Sequence, residues 1–147
     1  DNEVLSDYFY NREFSFTLAN DVYCRYLCYK TAEEFKSNLL SRVPHKIDIG
    51  AVFNMAPSRH LSCGDKKAFV PCEKEMVFDI DMNDYDEVRT CCTGANVCEK
   101  CWEYLKLAMI VLTDILSEDF DFENVLWVFS GRRGIHAWVC DDAARKM

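Results

Sequence analysis

Two aspartates, an arginine-rich turn and a knot of cysteines are the residues of this chain whose types and spacing could do chemistry. Asp79 and Asp81 sit two apart in the alternating stretch from Glu75 to Met82. On a strand both side chains leave the same face, with Cα atoms about 6.6 Å apart. Both carboxylates can therefore reach one pair of metal ions. Such hard oxygen ligands suit Mg²⁺ or Mn²⁺, and two ions about 3.5–4 Å apart stabilise the attacking and leaving oxygens of phosphoryl transfer. The same D-x-D pattern is also the ordinary solvated face of a strand. Further on, Ser130-Gly131-Arg132-Arg133-Gly134-Ile135-His136 places a hydroxyl, two guanidiniums and an imidazole on a glycine-flanked turn. Planar guanidinium forks match phosphate oxygens, and glycines let backbone amides approach them. A nucleoside triphosphate is a plausible guest for that turn. The plain alternative is a tight hairpin with exposed arginines and a core histidine.

Of nine cysteines, Cys91, Cys92, Cys98 and Cys101 fall within eleven positions. Four thiolates with a C-x2-C knuckle make a closed tetrahedral set for structural zinc, with a bound charge of 2 − 4 = −2. A three-cysteine site with one spectator is the variant reading, because Cys91 and Cys92 are adjacent. Cys24, Cys28, Cys63, Cys72 and Cys140 are scattered and read as core or loop thiols. Glu13, Arg25 and Asp48 lie on early strands and read either as surface residues or as members of a site.

The elements that must position these groups follow from periodicity. Arg12 to Leu18 alternates, with Phe14, Phe16 and Leu18 on one face and Glu13, Ser15 and Thr17 on the other, the pattern of a half-buried strand. Asp21 to Tyr29 continues as a second strand after a short turn at Ala19-Asn20. Thr31 and Glu34 form a capping box ahead of a helix that Pro44 stops near Val43. Ile47, Ile49, Ala51 and Phe53 alternate as a third strand, and Met55 to Cys72 reads as a loop. Glu75 to Met82 is a strand with Met76, Phe78, Ile80 and Met82 on its apolar face. Trp102, Leu105, Ala108, Met109, Leu112, Ile115 and Leu116 recur at helical spacing and predict a long amphipathic helix. Asn124 to Ser130 and Ile135 to Cys140 are strands joined by the Gly-Arg-Arg-Gly turn. There is no regular βαβ rhythm, so the fold class is mixed α/β, an α+β sheet flanked by helices, rather than a doubly wound parallel sheet.

The chain has 147 residues, half of them hydrophobic, and a net charge of 17 − 25 = −8. Such a composition excludes a disordered tail, and one domain over 1–147 is the default expectation. The acidic balance argues against broad binding of duplex nucleic acid. The apolar stretch from Leu105 to Leu116 is interrupted by Lys106 and Asp114 and is shorter than the roughly 20 residues of a membrane span. An odd cysteine count of modest density fits a reducing compartment. The N-terminus, Asp1-Asn2-Glu3-Val4, lacks a basic region and an initiating Met, so the expectation is a piece of a longer reading frame.

Taken in order, Arg12-Glu13-Phe14-Ser15-Phe16, Ile47-Asp48-Ile49-Gly50-Ala51-Val52, Val77-Phe78-Asp79-Ile80-Asp81, the Cys-Cys-x5-Cys-x2-Cys cluster and Ser130-Gly131-Arg132-Arg133-Gly134-Ile135-His136 resemble the small catalytic subunit of eukaryotic and archaeal DNA primase. The resemblance runs from about position 11 to the end. It implies a primase catalytic core with a zinc-bearing insertion at 91–101, making short RNA primers on a single-stranded DNA template from ribonucleoside triphosphates. By matching motifs, Asp79 and Asp81 would bind catalytic Mg²⁺ or Mn²⁺ and Glu13 would be a further catalytic acid. Ser130, Arg132, Arg133 and His136 would contact the nucleotide, with Arg25 and Asp48 near it. Cys91, Cys92, Cys98 and Cys101 would hold zinc. The implied partners are the primase large subunit and the DNA polymerase alpha complex, in the nucleus and with no membrane. The family's third metal-binding aspartate falls beyond Met147 and a helical segment normally precedes the first motif. The expectation is thus a partial catalytic domain, weak or inactive alone and with an uncovered sheet edge. A two-metal nuclease and a non-enzymatic zinc docking module are the competing readings.

Overall fold

A computed structural model describes residues 7–62, 64 and 68–147. Cys63 and the N-terminal Asp1-Asn2-Glu3-Val4 lie outside the described residues. The chain divides into two compact units, residues 1–74 and 75–147, each built on its own antiparallel sheet.

In the first unit the strands β1 (Arg12–Thr17), β2 (Tyr23–Leu27), β3 (Lys46–Phe53) and β4 (Pro71–Glu73) stand in the order β2-β1-β3-β4. Asn20 and Asp21 turn the chain from β1 to β2 with φ of 61° and 59°, a conformation that Asn and Asp tolerate better than other side chains. Phe14 pairs with Leu27 but Phe16 with Cys24, so β2 carries one extra residue, a bulge where Tyr26 takes φ 60°. Helix α1 (Ala32–Arg42) starts where the Thr31 hydroxyl accepts the Glu34 N–H at 3.2 Å. It ends at Val43, which leaves the right-handed helical region that the following Pro44 disfavours and takes φ 44°. Phe14, Phe16 and Tyr29 form the core of this unit against Phe35 and Leu39 of α1, with the Phe14 and Phe35 rings 4.8 Å apart. Full burial of a side chain such as Phe16 contributes about 1.5–3 kcal/mol. The 55–72 segment is not a bare loop: it holds a short 3-10 helix, Pro57–Ser62, and the start of β4.

In the second unit β5 (Met76–Asp81), β6 (Val125–Phe129) and β7 (Gly134–Val139) stand in the order β5-β7-β6. Helix α2 (Glu99–Phe120) buries Cys101, Leu105 and Leu116, while a short helix α3 (Asp142–Arg145) buries Ala144. The apolar face of β5 is used as its alternation predicts: Met76 and Phe78 pack beside Leu116 and Val139, and Ile80 beside Met82, Leu105 and Ile135. Ile115, on the flank of the helical stripe, is exposed instead of buried. A left-handed Asp121 closes α2, and the Phe122 N–H reaches back to the Leu116 carbonyl at 2.9 Å. No helix among the described residues is long and apolar enough to cross a membrane.

Candidate functional site

The register of β5 against β7 sets Asp79 opposite His136 and Asp81 opposite Gly134. Directly opposed residues project to the same side of a sheet, so the acid pair and the histidine share one face. His136 Nε2 lies 3.3 Å from Asp79 Oδ1, an ion pair only when the imidazole is protonated. Arg133, at the end of the turn, donates through Nε to both Asp81 oxygens at 2.7 and 3.0 Å. That bond holds the Asp81 carboxyl below its ordinary range despite partial burial, with help from the N–H groups of Asn83 and Met82. The turn itself is built by Ser130, whose hydroxyl accepts the Gly134 N–H at 3.0 Å, and by Gly131 at φ +90°. A Cβ on Gly134 would stand 2.8 Å from the Ile80 carbonyl, so only glycine allows this approach of β7 to β5. Arg132 is exposed on the turn and the Asp79 side chain is 73% exposed, leaving this end of the sheet open to an incoming ion or anion. The structure thus gathers Asp79, Asp81, Ser130, Arg133 and His136 at one end of β5 and β7, with Arg132 beside them.

The cysteines converge in the same unit. One sulfur from each of Cys91, Cys92, Cys98 and Cys101 lies within 4.8 Å of the others, adjacent Cys91 and Cys92 included. Zn–S bonds of about 2.3 Å in a tetrahedron separate sulfurs by about 3.8 Å, so the donor set fits zinc. Cys98 caps α2, and its own N–H donates to Cys101 Sγ at 3.2 Å. The Cys98 thiol is drawn down to about 6, first by the Cys101 backbone N–H and then by its sulfur neighbours. Cys92 is pushed up to about 12, chiefly because it shares a hydrogen bond with Cys98 and is partly desolvated. Four thiols this close do not all ionise unaided; a bound dication would supply the missing charge.

The loop carrying these cysteines is held by a residue that the motif reading passed over. Arg89 has a fully buried side chain and donates to Asp86 Oδ1 (2.7 Å), the Gly94 carbonyl (2.7 Å) and the Asn96 carbonyl (2.8 Å). Asp86 in turn accepts the Gly94 N–H at 2.9 Å. No spacing rule points to an arginine two residues ahead of the first cysteine, and only the folded loop reveals it.

In the first unit Glu13 is not a surface residue. Its side chain is 5% exposed and its carboxylate takes Arg25 Nε and Nη2 at 3.0 and 3.1 Å and the Tyr26 N–H at 3.2 Å. The β2 bulge is what turns Arg25 and the Tyr26 amide toward it. Close passage of β3 also covers Glu13, since a Cβ on Gly50 would lie 3.1 Å from Glu13 Cβ. Asp48 is exposed and pairs across the ladder with Ser15, which puts it on the Glu13 face of this sheet. Among the scattered thiols, Cys24 packs at the Phe14 core and Cys28 lies 3.3 Å from Ser58 Oγ, as core and loop residues do.

Comparison with known proteins bears on all of these residues. The family profile of the DNA primase small subunit matches residues 78–147, which include the acid pair, the cysteine cluster and the arginine turn. The DNA primase small subunit of Drosophila melanogaster is 55% identical over 139 residues, covering 95% of this chain and 31% of its own length. That of Schizosaccharomyces pombe is 50% identical over 96% of this chain and 31% of its own. The archaeal subunit of Archaeoglobus fulgidus is 31% identical over 96% of this chain and 41% of its own. The chain therefore spans about a third of the length of the eukaryotic relatives it matches. Agreement with DNA primase small subunits thus runs through both units, in relatives as distant as flies, fission yeast and archaea, and the profile of that family covers the second unit from Phe78 onward.

Proposed function

We propose that this chain is part of the catalytic domain of a DNA primase, which joins ribonucleotides into short RNA primers on single-stranded DNA. The observation that carries this reading is the β5–β7 register, which sets two carboxylates against an arginine and a histidine at one open end of a sheet. Asp79 and Asp81 would hold Mg²⁺ or Mn²⁺, with Glu13 as a further acid of the reaction. When bound, the ions stabilise the attacking and leaving oxygens of nucleotidyl transfer. Arg133, Arg132 and His136 bind and neutralise the triphosphate, and Ser130 keeps the turn in shape. Arg133 exchanges the Asp81 carboxylate for phosphate oxygens, an exchange between two anions of similar geometry. Arg25 and Asp48 carry a nucleotide-contacting role by resemblance alone. Cys91, Cys92, Cys98 and Cys101 would hold a structural zinc, and residues 1–147 act as one part of a larger catalytic domain. The partners are a large primase subunit and the polymerase alpha assembly, in the nucleus.

The deciding experiment is calorimetric titration of a ribonucleoside triphosphate into this chain with Mn²⁺, alongside Arg133→Ala and Asp79→Ala. Binding that needs Mn²⁺ and falls in both variants is the expected result. Undiminished binding in both variants separates the nucleotide from these residues and overturns the reading. The full-length subunit carrying Asp79→Ala should lose primer synthesis; if primers are still made at the parental rate, the acid pair is not catalytic.

A further inference from the structure

The thiolate cluster has a neighbour whose chemistry the zinc reading alone does not account for. Arg89 Nη1 lies 3.8 Å from Cys101 Sγ, within reach of an N–H···S bond, and also donates to the Asn96 carbonyl, while Nε grips Asp86 and Nη2 the Gly94 carbonyl. Those two carbonyls belong to the loop between the second and third cysteines of the cluster. Asp86 closes the arrangement from the far side by accepting the Gly94 N–H. A guanidinium with its side chain wholly buried is costly unless its donors are satisfied, and here each edge has an acceptor. The fork is thus aimed by Asp86, clamps the loop, and presents its positive edge to a sulfur of the cluster.

We propose that Arg89 is the positioning residue of the metal–thiolate centre: it fixes the Gly94–Asn96 loop so that the sulfurs meet, and it donates an N–H···S bond to Cys101. The inference rests on the reading of the cluster as a zinc site. A hydrogen bond to a ligating thiolate withdraws charge from sulfur, and outer-shell partners of this kind typically change metal affinity 10- to 100-fold when removed. Arg89 touches no reacting group and acts only through the ligand and its loop.

The test uses this chain purified with zinc, compared with Arg89→Gln and Arg89→Lys. Wild-type protein should bind one equivalent of zinc; a wild type that binds none overturns the zinc reading, whatever the variants do. Given that equivalent, Arg89→Gln should release zinc to a competing chelator with an affinity roughly 10- to 100-fold weaker. Arg89→Lys, which retains the charge without the fork, should recover only part of the loss. The second readout is the sulfur-to-metal charge-transfer band of the Co²⁺-substituted protein. Loss of the N–H···S bond raises the energy of the sulfur electrons, so the band should move to longer wavelength in both variants while the tetrahedral ligand-field bands stay. A merely structural arginine would leave that band in place. An unmoved band in a folded, cobalt-loaded variant overturns the proposal, and if Arg89→Gln does not fold, Arg89→Lys supplies both readouts.

Discussion

Two arginine–aspartate pairs of the second unit have the same chemistry and opposite designs. Arg89 and Asp86 sit beside the cysteines, and Arg133 and Asp81 sit at the open end of β5 and β7. The Arg89 side chain is fully buried, while that of Arg133 is 28% exposed. Arg89 divides its donors among a carboxylate, two carbonyls and a sulfur, whereas Arg133 reaches Asp81 through Nε. Among the described residues the Nη groups of Arg133 have no hydrogen-bond acceptor. A buried guanidinium must be saturated, and once saturated it has nothing left to offer a ligand. An arginine at the surface keeps donors in reserve and trades its partner at little cost. The difference between scaffold and binding group is written in the number of acceptors, not in the residue type.

The largest effect that would sharpen this contrast comes from Cys101→Ser. Zinc content should fall from one equivalent to none, and the unit 75–147 should lose its cooperative melting, because metal binding at such sites is coupled to folding. A variant that keeps its zinc and its transition would remove Cys101 from the centre. Next comes Arg133→Ala, which should weaken triphosphate binding roughly 10- to 100-fold, the usual worth of a charge-assisted phosphate contact. Zinc content should be unchanged and melting should move by no more than about 2 °C. A collapse in melting temperature would make Arg133 a scaffold like Arg89 and erase the distinction. Gly134→Ala should cost about 1–3 kcal/mol in urea unfolding, since the new Cβ meets the Ile80 carbonyl at 2.8 Å and backbone must shift. An unchanged midpoint would mean the turn gives way freely.

The smallest effect concerns a carboxylate held without any arginine. Asp141 is raised by burial but held below its ordinary value by hydrogen bonds from the Asn124 side chain and from the N–H groups of Asn124 and Glu123. A carboxyl lowered in the folded state stabilises above its unfolded pKa, and that contribution is lost as pH falls through the folded one. Asp141→Asn should therefore melt a few degrees below the parent at pH 7, and the gap should close as the pH is brought below about 3.8. A gap independent of pH would assign the effect to shape and not to charge.

Much of the scaffold can be read from local pattern because it is local physics. Period-two alternation placed β1, β3 and β5, the Gly-Arg-Arg-Gly turn set the β6–β7 hairpin, and Thr31 and Pro44 bracketed α1 by capping and by steric exclusion. The cysteine spacing announced a knuckle at the start of α2. What local pattern does not hold is register. The opposition of Asp79 and His136 depends on which residues of two distant strands face each other, and period two fixes the face but not the partner. The Tyr26 bulge, which converts Glu13 from a presumed polar-face residue into a buried one, has no composition of its own. Arg89 was invisible for the same reason: its acceptors are backbone carbonyls, and every residue has one. The division into two antiparallel sheets likewise follows from pairings made across many residues.

That division has an optical consequence. Trp102, Trp127 and Trp138 all belong to residues 75–147, whereas Tyr8, Tyr10, Tyr23, Tyr26 and Tyr29 belong to residues 1–74. Light absorbed only by indole therefore reports on the half that holds the four-cysteine cluster and the arginine turn. The phenols are shared, five in residues 1–74 against Tyr85 and Tyr104 in 75–147, so it is the second half alone that can be watched unfolding, or taking up a ligand, in its own colour without any label.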